Sequence, residues 1–231
     1  MSGIRGALGI LLALACLSGA HAQEQDDGFV RLFTEDGAPG GWSVRAWNDL
    51  GQVAGEGTAW TVKDGVLRPG EVRGTWLVSE QEYGDFILEF EVKLTEVGNS
   101  GVALRAPLQG DPAFEALEMQ VADLRYNRQA NDAELTGAIY RALAPKKQVY
   151  KPIEWNAFHL ELQGAQLTAK LNGEVIHEAD LSKLDQPTKR HDGSDAPPVK
   201  DRPARGHIGF QHLSRNNEPV LIRNVRLKEL K

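Results

Sequence analysis

The segment Phe86-Ile87-Leu88-Glu89-Phe90-Glu91-Val92-Lys93-Leu94 constrains the fold more than any other stretch of the chain. Its even positions are all apolar, and Glu89, Glu91 and Lys93 share the opposite side. Successive strand side chains point to opposite faces, so a period of two describes a strand with one face in a core and one in water. Phe158, Leu160 and Leu162 alternate with His159 and Glu161 in the same way, and Leu167, Ala169 and Leu171 with Thr168 and Lys170. Asp64-Gly65 and Asn172-Gly173 separate such runs, and these dipeptides suit the positive φ angles of two-residue hairpin turns. Comparable runs number about a dozen at even spacing, with no helical period long enough for βαβ units. The predicted fold is all-β, a two-sheet antiparallel β-sandwich.

Composition narrows what such a sandwich can be. With 24 Gly and 11 Pro in 231 residues the chain is rich in turns, and its formal charge of −6 argues against a general nucleic-acid partner. Cys16 is the single cysteine, which excludes an internal disulfide. It falls in an N-terminal segment with one positive charge, Arg5, an apolar run from Ala7 to Leu17, and small residues in Ala20-His21-Ala22. The run is too short for an ordinary membrane span, and the small residues fit the −3 and −1 positions of a signal-peptidase site. Residues 1–22 are therefore expected to be a removed signal peptide. Residues 23–231 would form a single periplasmic or secreted domain without a membrane span. Between Ser182 and Arg205 the chain carries Pro187, Pro197, Pro198, Pro203 and many charges. This reads as a solvated surface loop in preference to a lid or metal loop, because Asp192, Asp195 and Asp201 lack the spacing of a calcium loop.

Many short motifs occur in order along residues 28–230. They include Gly28-Phe29-Val30-Arg31-Leu32-Phe33, Trp60-Thr61-Val62-Lys63-Asp64-Gly65, Tyr83-Gly84-Asp85-Phe86, Gly98-Asn99-Ser100-Gly101-Val102 and Leu104-Arg105. Glu118-Met119-Gln120, Thr136-Gly137-Ala138-Ile139-Tyr140, Glu154-Trp155-Asn156 and Gly206-His207-Ile208-Gly209-Phe210-Gln211 follow. Together they resemble the 3-keto-disaccharide hydrolase family, formerly a domain of unknown function. The resemblance implies a jelly-roll sandwich of the concanavalin A-like lectin/glucanase kind with a sugar site on its concave face. It also implies cleavage of glycosides whose glucose C3 hydroxyl has been oxidised to a ketone by an upstream sugar 3-dehydrogenase. A C3 ketone acidifies the C2 proton, so the reaction needs a base, a group that stabilises the enolate, and a donor to the leaving oxygen.

Alternation selects candidates for these roles. Leu117, Met119 and Val121 make one face of a strand, leaving Glu118 and Gln120 on the other. Val102 and Leu104 leave Arg105 opposite them, and Ile208 and Phe210 leave His207 and Gln211. With the family in view, Glu118 is the expected general base, Arg105 the enolate stabiliser and Tyr140 a donor. Gln120, Gln211, Asp123, Lys151, His207 and Trp155 are expected substrate-site residues. Each has a plainer reading. Glu118 and Arg105 can form a cross-strand ion pair, His207 can be structural, Tyr140 can simply pack its ring, and Lys151 can be an exposed loop lysine. Trp42, Trp47, Trp60 and Trp76 are more readily core than sugar platforms, with Trp155 favoured at the cleft edge.

Two other functions fit the same sandwich. A noncatalytic carbohydrate-binding module would show aromatic platforms without a carboxylate set against C2. A conventional glycosidase would need two carboxylates across one cleft. Laminarinase-like sandwiches carry Glu-x-Asp-x-x-Glu on one strand, whereas here Glu118-x-Gln120-x-x-Asp123 keeps the spacing but replaces two of the acids. Positions five apart on a regular strand lie on opposite faces and roughly 16 Å apart, so that pair would need a bulge. No Cys, His and carboxylate cluster has metal-ligand spacing, so no cofactor is predicted, with a divalent cation left open.

Overall fold

In the computed structural model, residues 28–95, 97–215 and 219–231 are described; the expected signal peptide, residues 1–22, lies outside them. The alternating segment Phe86–Leu94 is a strand in the middle of the larger of two sheets. In chain order the strands are β1 (Val30–Arg31), β2 (Trp42–Ala46), β3 (Asp49–Val53), β4 (Trp60–Lys63), β5 (Val66–Pro69), β6 (Thr75–Tyr83), β7 (Phe86–Leu94) and β8 (Asn99–Ala106). A single helical turn, α1 (Pro112–Glu115), precedes β9 (Leu117–Ala122). Then come β10 (Asn156–Gln163), β11 (Gln166–Leu171), β12 (Glu174–Asp180), β13 (Thr188–Lys189), β14 (Asp195–Ala196), β15 (Gly206–His212) and β16 (Val220–Glu229).

The first sheet runs β12-β11-β10-β7-β16-β5-β4, with β1 added against β16, and the second runs β3-β2-β6-β15-β8-β9. Neighbouring strands pair antiparallel throughout both. The chain is thus an antiparallel two-sheet β-sandwich. The expected hairpins β4–β5 and β11–β12 turn on Asp64-Gly65 and Asn172-Gly173, all four residues at positive φ.

The core lies between the sheets. Phe86, Leu88, Phe90, Val92 and Leu94 of β7 meet Val102, Leu104, Leu117, Met119, Val121, Ile208 and Phe210 of the second sheet in one buried cluster. Phe90 stacks on Phe158 at 5.0 Å and receives the edge of Phe210 at 5.8 Å. On the outer face of β7, Glu89 lies 2.8 Å from His159 Nδ1 and accepts from Arg226 Nε at 2.5 Å, and Glu91 accepts from Arg223 Nε at 2.7 Å, so both carboxylates of the alternation are paired across strands.

The second sheet departs from strict alternation where its strands shift register, between β2 and β3 and on both sides of β15. Between β15 and β8 the register shifts, His207 opposing Ala106 while Gly209 opposes Ala103. The extra residue in β8 is absorbed at Arg105, whose φ is 56°, in the left-handed region. Parity therefore inverts: Ala103 and Ala106 lie together in one small cluster on the far face, although they are three residues apart.

Candidate functional site

The far face of the second sheet carries Asn99, Gly101 and Ala103 from β8, Glu118 and Gln120 from β9, and Gln211 from β15. Three segments wall it in. The first, Gly137–Tyr140, runs back along the free edge of β9: Gly137 N donates to Gln120 O, Gln120 N to Ala138 O, and Tyr140 N to Glu118 O, each at 2.9 Å. This edge pairing places Tyr140 beside Glu118. The second is the Gly110-Asp111 turn. Asp49 accepts from Gly110 N at 2.7 Å, and Asp111 caps α1 by accepting from Ala113 N at 3.0 Å.

The third wall comes from the 182–205 excursion, which is more than a solvated loop. Its short hairpin β13–β14 is clamped to α1 by Arg202, a buried guanidinium donating to Ala116 O at 2.7 Å, Ala113 O at 3.3 Å and Thr188 Oγ1 at 2.8 Å. Burial lowers the Arg202 pKa to about 10. Arg190 meets Glu115 at 2.8 Å, and His191 in the hairpin turn packs against Phe114 at 5.2 Å and Tyr140 at 6.1 Å. Asp192 and Asp195 serve the hairpin itself, through Ser194 and Lys189.

These walls enclose a cleft of about 450 Å³, in the range of small-ligand sites. Glu118, Asp111, Tyr140, His191 and Trp47 line it together with the amides Asn99, Gln120, Asn127 and Gln211, and with Arg73, Arg141, Arg215, Glu134 and Tyr126. Glu118 is 3% exposed, and among the described residues its carboxyl has no hydrogen-bond or ion-pair partner. Burial, reinforced by the negative charge of Asp111, drives its pKa well above the ordinary glutamate value. Burial likewise raises Asp111 to about 6, against the Ala113 N–H bond that favours its charge. Tyr140 is pushed up to about 12, first by burial, and burial lowers His191. The buried oxygens Asn99 Oδ1 and Gln211 Oε1 accept from no group among the described residues. Gln120 Oε1 accepts from Val121 N at 3.0 Å, which leaves its amide N–H groups for a ligand. A cleft with vacant buried acceptors, amide donors and aromatic walls is suited to a ligand bearing many hydroxyls. Among the described residues, no three His, Cys, Asp or Glu side chains cluster so as to hold a metal ion.

Of the residues expected from sequence, Glu118, Gln120, Tyr140 and Gln211 line this cleft. Arg105 does not. Because of the bulge its side chain turns toward the other sheet, where it donates to Gly84 O at 2.7 Å, Gly164 O at 2.8 Å and Asp85 at 2.9 Å. Asp123 follows β9 without a bulge and is held by Arg125 at 2.7 Å, lining a 60 Å³ recess behind Gln120 and Tyr140. Burial pushes the Asp123 pKa up, but Arg125 outweighs it and holds the carboxyl below the ordinary value. Glu118 and Asp123 therefore do not form a carboxylate pair across one bond. His207 is buried within the sheet, its Nδ1 2.7 Å from Ser79 O and its Nε2 3.6 Å from Glu82. Lys151 is exposed, away from the cleft lining, with its backbone bonded to Asn156. Trp155 stacks under Arg223 at 4.0 Å, outside the cleft; the tryptophan in the lining is Trp47.

A family model described as the 3-keto-alpha-glucoside-1,2-lyase-like domain matches residues 28–228. The chain belongs to this family. Two solved structures from Parabacteroides distasonis, each of a protein proposed to be a glycosyl hydrolase, are similar to it. One is 30% identical with a TM-score of 0.64, covering 74% of this chain and 90% of its own. The other shares the fold at 24% identity with a TM-score of 0.69, covering 88% of this chain and 95% of its own. No curated protein matches the chain. As a member of the 3-keto-alpha-glucoside-1,2-lyase-like family, the chain thus has the fold and the kin expected from its motifs.

Proposed function

We propose that this protein is an exported carbohydrate-active enzyme that cleaves 3-keto-glycosides, with residues 1–22 removed and a sugar 3-dehydrogenase supplying the oxidised substrate. The observation that carries this reading is Glu118: a buried carboxyl with no partner among the described residues, facing a sugar-sized cleft in a member of this family. A carboxyl so placed is a strong base once ionised, and the negative charge of Asp111 strengthens it further.

The reaction follows from these groups. Glu118 takes the C2 proton, and the C2–H electron pair forms the C2–C3 double bond of an enolate. The Gln120 amide donates to the enolate oxygen, in the role expected of Arg105. When the enolate collapses, the C3 carbonyl re-forms, a C1–C2 double bond appears, and the C1–O bond breaks. Tyr140, protonated at neutral pH, gives its proton to the departing oxygen. Water then adds: hydroxide goes to C1, the other water proton restores Tyr140, and Glu118 returns its proton to C2.

The test is to incubate residues 23–231 with matched 3-keto and unoxidised disaccharides. Cleavage confined to the 3-keto member supports the proposal. Cleavage of the unoxidised member would favour a conventional glycosidase, a reading supported by the presence of two carboxyls, Asp111 and Glu118, in one cleft. Binding of both without cleavage would identify a noncatalytic module.

A further inference from the structure

The cleft is electrically asymmetric along the strands. Glu118 stands opposite Ala103, and four residues further on Ala122 stands opposite Asn99, so the two rows are roughly 13 Å apart. The carboxyls Asp111 and Glu118 belong to the first end, and the third carboxyl of the lining, Glu134, is paired with Arg141 at 2.8 Å. At the second, where β15 and β9 finish and β6 and β8 begin, the lining is Arg73, Arg215, Tyr126 and Asn99. That separation exceeds one hexopyranose ring, leaving room for an aglycone between a sugar held at Glu118 and the two guanidiniums.

Among the described residues, neither guanidinium is paired with a carboxylate. Arg73 Nη2 donates to Leu213 O at 2.8 Å and to Tyr126 Oη at 3.4 Å, and no carboxylate among the described residues pairs with it. Arg215 lies with its guanidinium carbon 4.5 Å from the centroid of the Tyr126 ring, and it too has no carboxylate among them. By contrast Arg141, the third guanidinium of the cleft, is held by Glu134 at 2.8 Å. Tyr126 thus positions both cations, one through its hydroxyl and one through its ring face, while their remaining N–H groups stay available. A planar fork of N–H donors matches the oxygens of carboxylate and phosphate groups. In a chain of net charge −6, a local pair of arginines without a carboxylate partner among the described residues is an attractive point for an anion at a cleft mouth.

We propose that this end of the cleft is a subsite for an oxyanion on the leaving group, so that the preferred substrates are acidic glycosides, carrying a carboxylate or a phosphate on the aglycone. The orientation rests on the reading of Glu118 as the site of bond cleavage; the anion preference itself does not.

Two measurements separate them. In the first, unoxidised glucosides of 4-hydroxybenzoate, of 4-hydroxybenzamide and of 4-hydroxyphenyl phosphate are titrated calorimetrically into residues 23–231. At least one anionic ligand should bind about tenfold more tightly than the neutral amide, and the tighter of the two identifies the oxyanion. The advantage should shrink as salt rises, and it should disappear in the Arg73→Gln/Arg215→Gln variant. Equal affinity for all three ligands, or a preference that survives the double substitution, would overturn the subsite. In the second, the 3-keto forms of the tighter-binding anionic glucoside and of the benzamide glucoside are compared by kcat/KM. Cleavage of both at equal rates would overturn the subsite and leave the activity standing. Preferential binding of the anion with no cleavage of either 3-keto compound would support the subsite while removing the proposed activity.

Discussion

Gly101 leaves open the space that the Glu118 carboxyl occupies. The two residues sit on adjacent strands of the second sheet, Gly101 paired with Gln120, and a Cβ at position 101 would lie 2.9 Å from Glu118 Cδ and closer still to Oε1. The Gly101 backbone is not left-handed, so alanine brings no φ strain there and acts only through this contact. Gly101→Ala should therefore push the carboxyl aside while the sheet persists. Displacements of this size are costly when a base must meet one proton, and kcat/KM on a 3-keto disaccharide should fall by about 10²-fold. The check is steady-state kinetics beside a thermal melt. Normal turnover in a folded variant would show that catalysis does not depend on where Glu118 points.

Replacing the carboxyl itself is the more direct test. Glu118→Gln preserves shape and removes the base, so activity should fall by about 10²–10⁴-fold while ligand binding largely survives. Deuterium at C2 should slow the wild-type enzyme if proton removal limits turnover. The pH profile supplies a second reading. Since the negative charge of Asp111 raises the pKa of Glu118, Asp111→Asn should lower it and move the acidic limb of kcat/KM to lower pH. A limb that stays in place would assign it to another group.

Asp111 also couples the cleft to stability. Its pKa rises from 3.8 to about 6 on folding, chiefly through burial. Well below pH 3.8 the carboxyl is protonated in both states and costs nothing. As pH rises through about 6 the unfolded chain has already released this proton, and folding must oppose the buried charge, so stability is lost. Asparagine keeps the cap on α1 without titrating. Asp111→Asn should thus be more stable than wild type by about 2–3 kcal/mol at pH 8, with the gap closing toward pH 4. Urea unfolding across that range measures it, and a pH-independent gap would count against burial as the source of the shift.

Most of the fold was legible in the sequence, because alternation and two-residue turns act locally. The inward set of β7 and both hairpins could be read directly. On β9 the same rule placed Glu118 and Gln120 together, since that strand is regular. It misplaced Arg105, because a bulge shifts parity and nothing local in Leu104-Arg105-Ala106 announces one. Asp111, His191, Arg73 and Arg215 were hidden for a different reason. They stand on turns and loops whose approach to the cleft depends on distant partners, such as Asp49 for the Asp111 turn and Arg202 for the His191 hairpin. The Asp111-Pro112 pair does signal a helix start, but not that its cap faces a cleft.

The last prediction concerns Arg105 itself. It is 3% exposed and donates to carbonyls in two separate turns, Gly84 between β6 and β7 and Gly164 between β10 and β11, while Asp85 supplies the countercharge. Asp85 also accepts from Gly164 N at 2.9 Å, so one ion pair fastens the end of the second sheet to a hairpin of the first. Removing the guanidinium strands Asp85 and two carbonyl oxygens, while Asp85 regains some solvent because it is 38% exposed. Arg105→Gln should then lower the unfolding free energy by about 2–4 kcal/mol, and its kcat on a 3-keto substrate should stay within about threefold of wild type below the melting transition. Chemical denaturation and steady-state kinetics on the same preparation decide the matter. A collapse of kcat in a variant of near-normal stability would return Arg105 to the catalytic machinery and require the cleft to be redrawn.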